Sequence, residues 1–321
     1  MTELQISSDW SFRGLSAIVF ENRILRIIVL PSLGGKIWQI VYKPLDEPLL
    51  WNNPGIAPDR QRIRARYDDV WAGGWDELFP NDESATINGE LYPDHGEFWT
   101  GDWHATPFQA DNAVGVDLTF TTPISSVKVH KRISLQAGIG RLDFSHHFQN
   151  LGGEPLPFLW KLHPAFAVTP AHRLVFPAMK VVMERAFTGT LNSAPDEFDW
   201  PICVNGETIV DLREVPSFNR RQMYFFYGTA LKEGRCGIVN TASGLSCSLQ
   251  FDPAVFSSCW LFASYGGWRN NRVAVLEPCT GYPIDFETMK QIGRVKILEP
   301  GGSLATQVVF SAEEGVALEG V

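Results

Sequence analysis

The chain has 321 residues, 45% of them hydrophobic, and a formal net charge of -9. No apolar run approaches the ~20 residues that a membrane helix needs, and the acidic balance disfavours nucleic acid, whose phosphates call for a basic face. A soluble chain with a substantial core is expected, without nucleic-acid or membrane partners. Its first residues, Met1-Thr2-Glu3-Leu4-Gln5-Ile6, lack the basic and apolar regions of a signal peptide, which makes the cytoplasm the default location.

In chain order, short apolar runs at 16–20, 24–30, 36–42, 114–120, 142–148, 237–240, 245–251, 273–276 and 304–310 read as strands, each bounded by Gly, Pro, Asn or Asp. Alternation with period two is clear in Val116-Asp117-Leu118-Thr119-Phe120. Few windows carry a helical period, so the helices should be few and short. No Gly/Ser linker, charge block or fixed-period repeat divides the chain. The expected architecture is all-β, a single domain over 1–321 built as a large antiparallel sandwich. The longest irregular stretch, 51–90, is of a length that usually serves function. Five cysteines without a CxxC pair read as buried small hydrophobes rather than a metal or redox site.

Several motifs carry candidate chemistry. Arg60, Arg62, Arg64 and Arg66 alternate in the irregular stretch; they offer an anion grip, although such runs are more often solvated. Trp71-Ala72-Gly73-Gly74-Trp75-Asp76-Glu77 sets a glycine turn among aromatics and acids, a pattern equally found in ordinary turns. Asp94-His95-Gly96-Glu97-Phe98-Trp99, followed by Trp103-His104, places an imidazole at a turn between rings. His95, Glu97 and His104 match no strong metal spacing, and no metal is expected. In 142–148 alternation puts His146 and His147 on opposite faces, and both are read as structural, as is His130.

Two further residues stand out. In Leu162-His163-Pro164 the proline removes a backbone donor just after the imidazole, as at the rim of a site. Glu277 ends the apolar run 273–276, where desolvation raises a carboxyl pKa unless a partner offsets it; Arg269 or Arg272 could be that partner. A histidine that titrates near neutrality and a buried glutamate form an acid/base pair. The abundance of aromatics, with 11 Trp and 21 Phe, suits strands and also stacking on sugar rings. Leu298-Glu299-Pro300 repeats the Glu277 pattern, so that pattern is cheap by itself.

Taken in order, these residues resemble the galactose mutarotase-like superfamily, which includes the aldose 1-epimerases. The resemblance runs through Pro31-Ser32-Leu33-Gly34-Gly35, Gly73-Gly74 with Phe79-Pro80, and Asp94-His95-Gly96. It is strongest from Phe148 through Leu162-His163-Pro164, and it closes at Leu276-Glu277-Pro278. Nothing between 173 and 235 takes part. The resemblance implies a β-supersandwich with an open concave site and no cofactor. Glu277 would be the base on the anomeric hydroxyl, His163 the acid on the ring oxygen, and His95 an assisting group. The sugar is then expected against Trp75, Asp76, Glu97, Trp99 and Trp103. Sugar-phosphate mutarotases of this kind carry arginines where this chain has Ala72 and Trp99, which points to a free, non-phosphorylated sugar. The stretch Ala165-Phe166-Ala167 also departs from the family pattern at the pocket floor. Two other readings stay open. One is a sugar-binding protein without catalysis. The other is a lyase or hydrolase acting on a modified sugar, and a hydrolase would pair Glu277 with Asp76, Glu77 or Glu97 across roughly 5–10 Å.

Overall fold

A computed structural model describes residues 3–187 and 189–315. Alternating apolar and polar side chains give two large antiparallel sheets, one of 12 strands and one of eight. The centre of the larger sheet runs through neighbouring strands Lys36–Tyr42, Trp75–Leu78, Lys161–Ala167, Arg272–Cys279, Ser258–Tyr265 and Gln222–Thr229. The smaller sheet includes Val127–Gln136, Arg141–Asn150, Ser303–Glu314 and Leu245–Phe251.

The inner faces pack on each other. Leu142, Phe144, His146 and Phe148 are buried on one face of their strand, while His147 points out. From the larger sheet, Trp75 meets Phe144 at a ring separation of 4.9 Å and Phe310 at 6.2 Å. Burying each such side chain contributes about 1.5–3 kcal/mol, and the chain does so dozens of times. Strands occupy every run expected from the sequence. Among the described residues the only α-helices are Tyr67–Val70 and Phe286–Gln291. All five cysteines are free and buried.

Two expectations change. The stretch 51–90 is not one long loop: it contains the helical turn Tyr67–Val70 and the strands Trp75–Leu78 and Ala85–Ile87. The span 173–235, which resembles nothing at the sequence level, contributes Lys180–Met183 and Gln222–Thr229 to the larger sheet. No helix among the described residues is long and apolar enough to cross a membrane.

Candidate active site

Register decides which side chains meet. His163 lies opposite Asp76, and Lys161 lies opposite both Leu78 and Cys279. Glu277 lies opposite Trp260 on its other flank, and Phe262 opposite Val275. Side chains alternate across a strand. Asp76, Lys161, His163, Glu277 and Trp260 therefore share the outer face at the centre of the larger sheet. Glu77, one residue along, points inward, where His146 Nε2 lies 3.0 Å and Lys131 Nζ 3.1 Å from its carboxylate. These partners outweigh the cost of burial and bring Glu77 down to about 2. It holds the two sheets together behind the site.

Over the outer face lies a cleft of about 530 Å³, a figure that includes its open mouth. His95, His163 and Glu277 all line it. His95 arrives from a turn in which it and Gly96 have φ of +62° and +71°. A Cβ on Gly96 would come within 2.0 Å of the Phe79 carbonyl oxygen, so only glycine fits there. Asp94 accepts from the backbone N–H of Tyr67 at 2.8 Å and pairs with His95 Nδ1 at 2.8 Å. One carboxylate thus fixes both the helical turn and the imidazole.

Tyr67 organises the two histidines. Its ring stacks on His95 with centroids 4.2 Å apart and planes 10° apart. Its hydroxyl donates to Asp76 Oδ2 at 2.7 Å and lies 3.3 Å from His163 Nδ1. Burial, with the Asp76 charge beside it, raises the Tyr67 pKa far above the ordinary value, so the phenol keeps its proton. That single proton goes to Asp76, so the phenol oxygen accepts from His163 Nδ1–H. Lys36 Nζ, 2.7 Å from Asp76 Oδ2, completes the chain.

The electrostatics separate the two imidazoles. Burial, reinforced by the charges of Lys161, His95 and Lys36, drives the His163 pKa well below its ordinary value. His163 is therefore neutral, with its Nε2 unprotonated. Burial also opposes charge on His95, but Asp82 and Asp94 outweigh it and raise the pKa.

Beside them, Lys161 Nζ sits between the carboxylates of Asp82 and Glu277, 2.6 Å from Glu277 Oε2, and 4.5 Å from the centre of the Trp260 ring. The two carboxylates overcome burial and raise the Lys161 pKa. For Glu277 burial prevails over Lys161 and the pKa rises.

Not every expected residue reaches the cleft. Trp75 is in the core between the sheets. Trp103 is buried against Phe98 and Phe120. Glu97 accepts from Ile124 N, Ser125 N and Ser125 Oγ, turned away from the histidines. These three are corrected to structural positions. Asp76 lies beneath the cleft as the partner of Tyr67 and Lys36. Trp99 packs edge-on against Tyr67 at 5.0 Å and lines a smaller recess behind it. The partner of Glu277 is Lys161 rather than an arginine. The arginines at 60, 62, 64 and 66 are exposed and none lines the cleft.

The lining residues not assigned to the site from sequence are Tyr67, Asp68, Trp71, Asp82 and Lys161, together with Phe187, Phe225, Phe262, Trp268 and Ile284. Only Lys161 left a signal: period two from His163 puts it on the same face. The carboxylates that line the cleft with Glu277 are Asp68 and Asp82. Among the described residues no three His, Cys, Asp or Glu side chains are grouped to hold a metal ion.

No protein-family model matches the chain. No curated protein sequence matches it either. Solved structures do. A protein from Klebsiella pneumoniae provisionally named an aldose 1-epimerase aligns with a TM-score of 0.71 at 13% identity, over 96% of this chain and 83% of that one. A galactose mutarotase-like protein from Clostridium acetobutylicum aligns with a TM-score of 0.68 at 12% identity, over 97% and 99%. A second galactose mutarotase-like protein, from Lactobacillus casei, aligns at 0.65 and 15% identity, over 92% and 100%. The fold of this chain is that of the galactose mutarotase-like proteins.

Proposed function

We propose that the protein is an aldose 1-epimerase acting on a free, uncharged sugar. The observation that carries this reading is the convergence of His95, His163 and Glu277, from three distant parts of the chain, on one cleft. Glu277, whose raised pKa makes it a stronger base, takes the proton of the anomeric hydroxyl. The ring C–O bond breaks as the ring oxygen receives a proton, C1 becomes an aldehyde, and rotation about C1–C2 precedes closure to the other anomer. The protons then return along the same routes, so the step balances without a co-reactant.

The acid role moves to His95. It holds its proton more tightly than an ordinary imidazole and is oriented by Asp94, whereas His163 is neutral and presents Nε2 as an acceptor for a sugar hydroxyl. Each such proton transfer is worth about 10²–10⁴-fold. Among the described residues no arginine lines the cleft, and Lys161 is already paired with two carboxylates, which supports a sugar without phosphate.

The test is polarimetric mutarotation of freshly dissolved aldoses with the wild-type protein, Glu277→Gln and His95→Gln. The expected result is acceleration by the wild type and loss of at least 100-fold in either variant. Wild-type protein that accelerates no aldose refutes the reading.

A further inference from the structure

The two ends of the cleft differ in chemistry. Around Glu277 the lining is polar: Asp82, Lys161, His95 and His163. The other flank is formed by Phe187, Phe225, Phe262, Trp268 and Ile284. A flat aromatic platform would serve to stack the face of a sugar ring, but these rings do not make one. Phe262 meets Trp268 at 88° with centroids 5.3 Å apart, and Phe225 meets Phe262 at 71°. Phe187 meets Phe225 at 79°, and Trp71 meets Phe262 at 75°.

Edge-to-face rings enclose a concave corner. Such a corner suits a compact apolar group better than a ring face. Where it joins the polar end stands Trp71, 5.4 Å from His163. Its indole N–H is buried and has no hydrogen-bond partner.

Resting on the sugar-site reading above, we propose that the ligand is a sugar that projects a methyl-terminated substituent into this aromatic corner. Two kinds of sugar supply that chemistry: a deoxy sugar with a C-methyl group, and an acetamido sugar. A hydroxymethyl or bare hydroxyl in the same place would lose water and find no partner among phenylalanine edges. The preference expected from that loss is about 10- to 100-fold.

The test measures equilibrium binding of free sugars by the fluorescence of Trp71 and Trp268, comparing fucose with galactose and N-acetylglucosamine with glucose. Binding at anomeric equilibrium does not depend on catalysis, so it is read separately from mutarotation. At least one methyl-bearing sugar is expected to bind 10-fold or more tightly than its parent, and which pair shows this identifies the source of the methyl group. In Phe262→Tyr, which places a hydroxyl in the corner, and in Phe187→Ser, at a rim residue 40% exposed, the preference should fall at least threefold. Equal affinities in both pairs, or a preference unchanged in both variants, would overturn the inference while leaving the epimerase reading intact. Failure of all four sugars to bind would overturn the inference, and the epimerase reading then falls only if mutarotation is absent too.

Discussion

Removing the buried ammonium at the centre of the site is the sharpest perturbation. Lys161→Met keeps most of the side-chain volume but leaves Asp82 and Glu277, only 1% exposed each, side by side without a counter-ion. At an effective dielectric of about 20, a pair 2.6 Å apart such as Lys161 and Glu277 has a gross attraction of about 6 kcal/mol. Desolvation cancels most of it in the intact protein, so the pair itself adds little. Breaking such a pair costs about 3–5 kcal/mol, because the charge left behind stays buried. With about 2.1 cal/mol/K of unfolding entropy per residue, that loss lowers Tm by about 4–7 °C for a chain of this length.

The pH dependence follows from Glu277. Its folded-state pKa is already raised by burial despite Lys161, and removing the lysine raises it further. A group with a raised folded pKa contributes stability below its unfolded value and loses it as pH rises through the folded value. The deficit of Lys161→Met relative to wild type should therefore be largest at neutral and higher pH and shrink as pH falls into the carboxylate range. Urea unfolding of both proteins across that range measures it. A deficit under 1 kcal/mol, or one that does not change with pH, would refute the account of Lys161 as the counter-ion of two ionised carboxylates.

Other outcomes are expected with equal definiteness. The proposed mechanism needs ionised Glu277 and protonated His95, both with raised pKa values. The pH profile of kcat/KM for mutarotation should rise on its acid side above the ordinary carboxylate range and fall on its alkaline side above the ordinary imidazole value; a single sigmoid would exclude the pair. Tyr67→Phe removes the oxygen that accepts from His163 and should lower kcat about 10-fold. The ¹⁵N resonances of His163 should then move toward the other tautomer, a change that mere loosening of the helical turn would not give. Glu97→Ala should cost about 2 kcal/mol in chemical unfolding by stranding the Ile124 and Ser125 donors, with kcat unchanged; a 10-fold loss of activity would return Glu97 to the site.

How much of this was legible depends on the kind of signal each element leaves. Strands such as Leu245–Phe251 are fixed by local alternation, and every expected run falls within or against one. His95, His163 and Glu277 were visible because each breaks an apolar or turn pattern with a titratable group. Tyr67 and Asp82 break no pattern: they sit in a polar stretch where any side chain would pass, and tertiary packing alone brings them to the histidines. Trp75 and Glu97 misled because they are one and two residues from Asp76, beneath the cleft, and His95, which lines it. Trp75 neighbours Asp76, yet a step of one residue along a strand reverses the face. Phe225 and Phe262 carry no motif in the sequence, and only the strand order of the larger sheet brings them to the cleft of Glu277.

The same alternation explains how so many charges can be buried at the centre of one sheet. Asp76 and Glu77 are adjacent in sequence but serve opposite faces, Asp76 with Lys36 and Tyr67, Glu77 with Lys131 and His146. Each acid has its own lysine, so neither face accumulates uncompensated charge. Lys161 then supplies the third ammonium, shared between Asp82 and Glu277. Asp82 and Glu277 thus have one ammonium between them, and His95, held by Asp94 and raised by Asp82, adds to the positive side beside them. His163, facing Lys36 and Lys161, cannot carry charge as well. Two histidines on the same tyrosine are thereby pushed in opposite directions, His95 toward its protonated form and His163 away from it, and that division is what the proposed acid and neutral acceptor require.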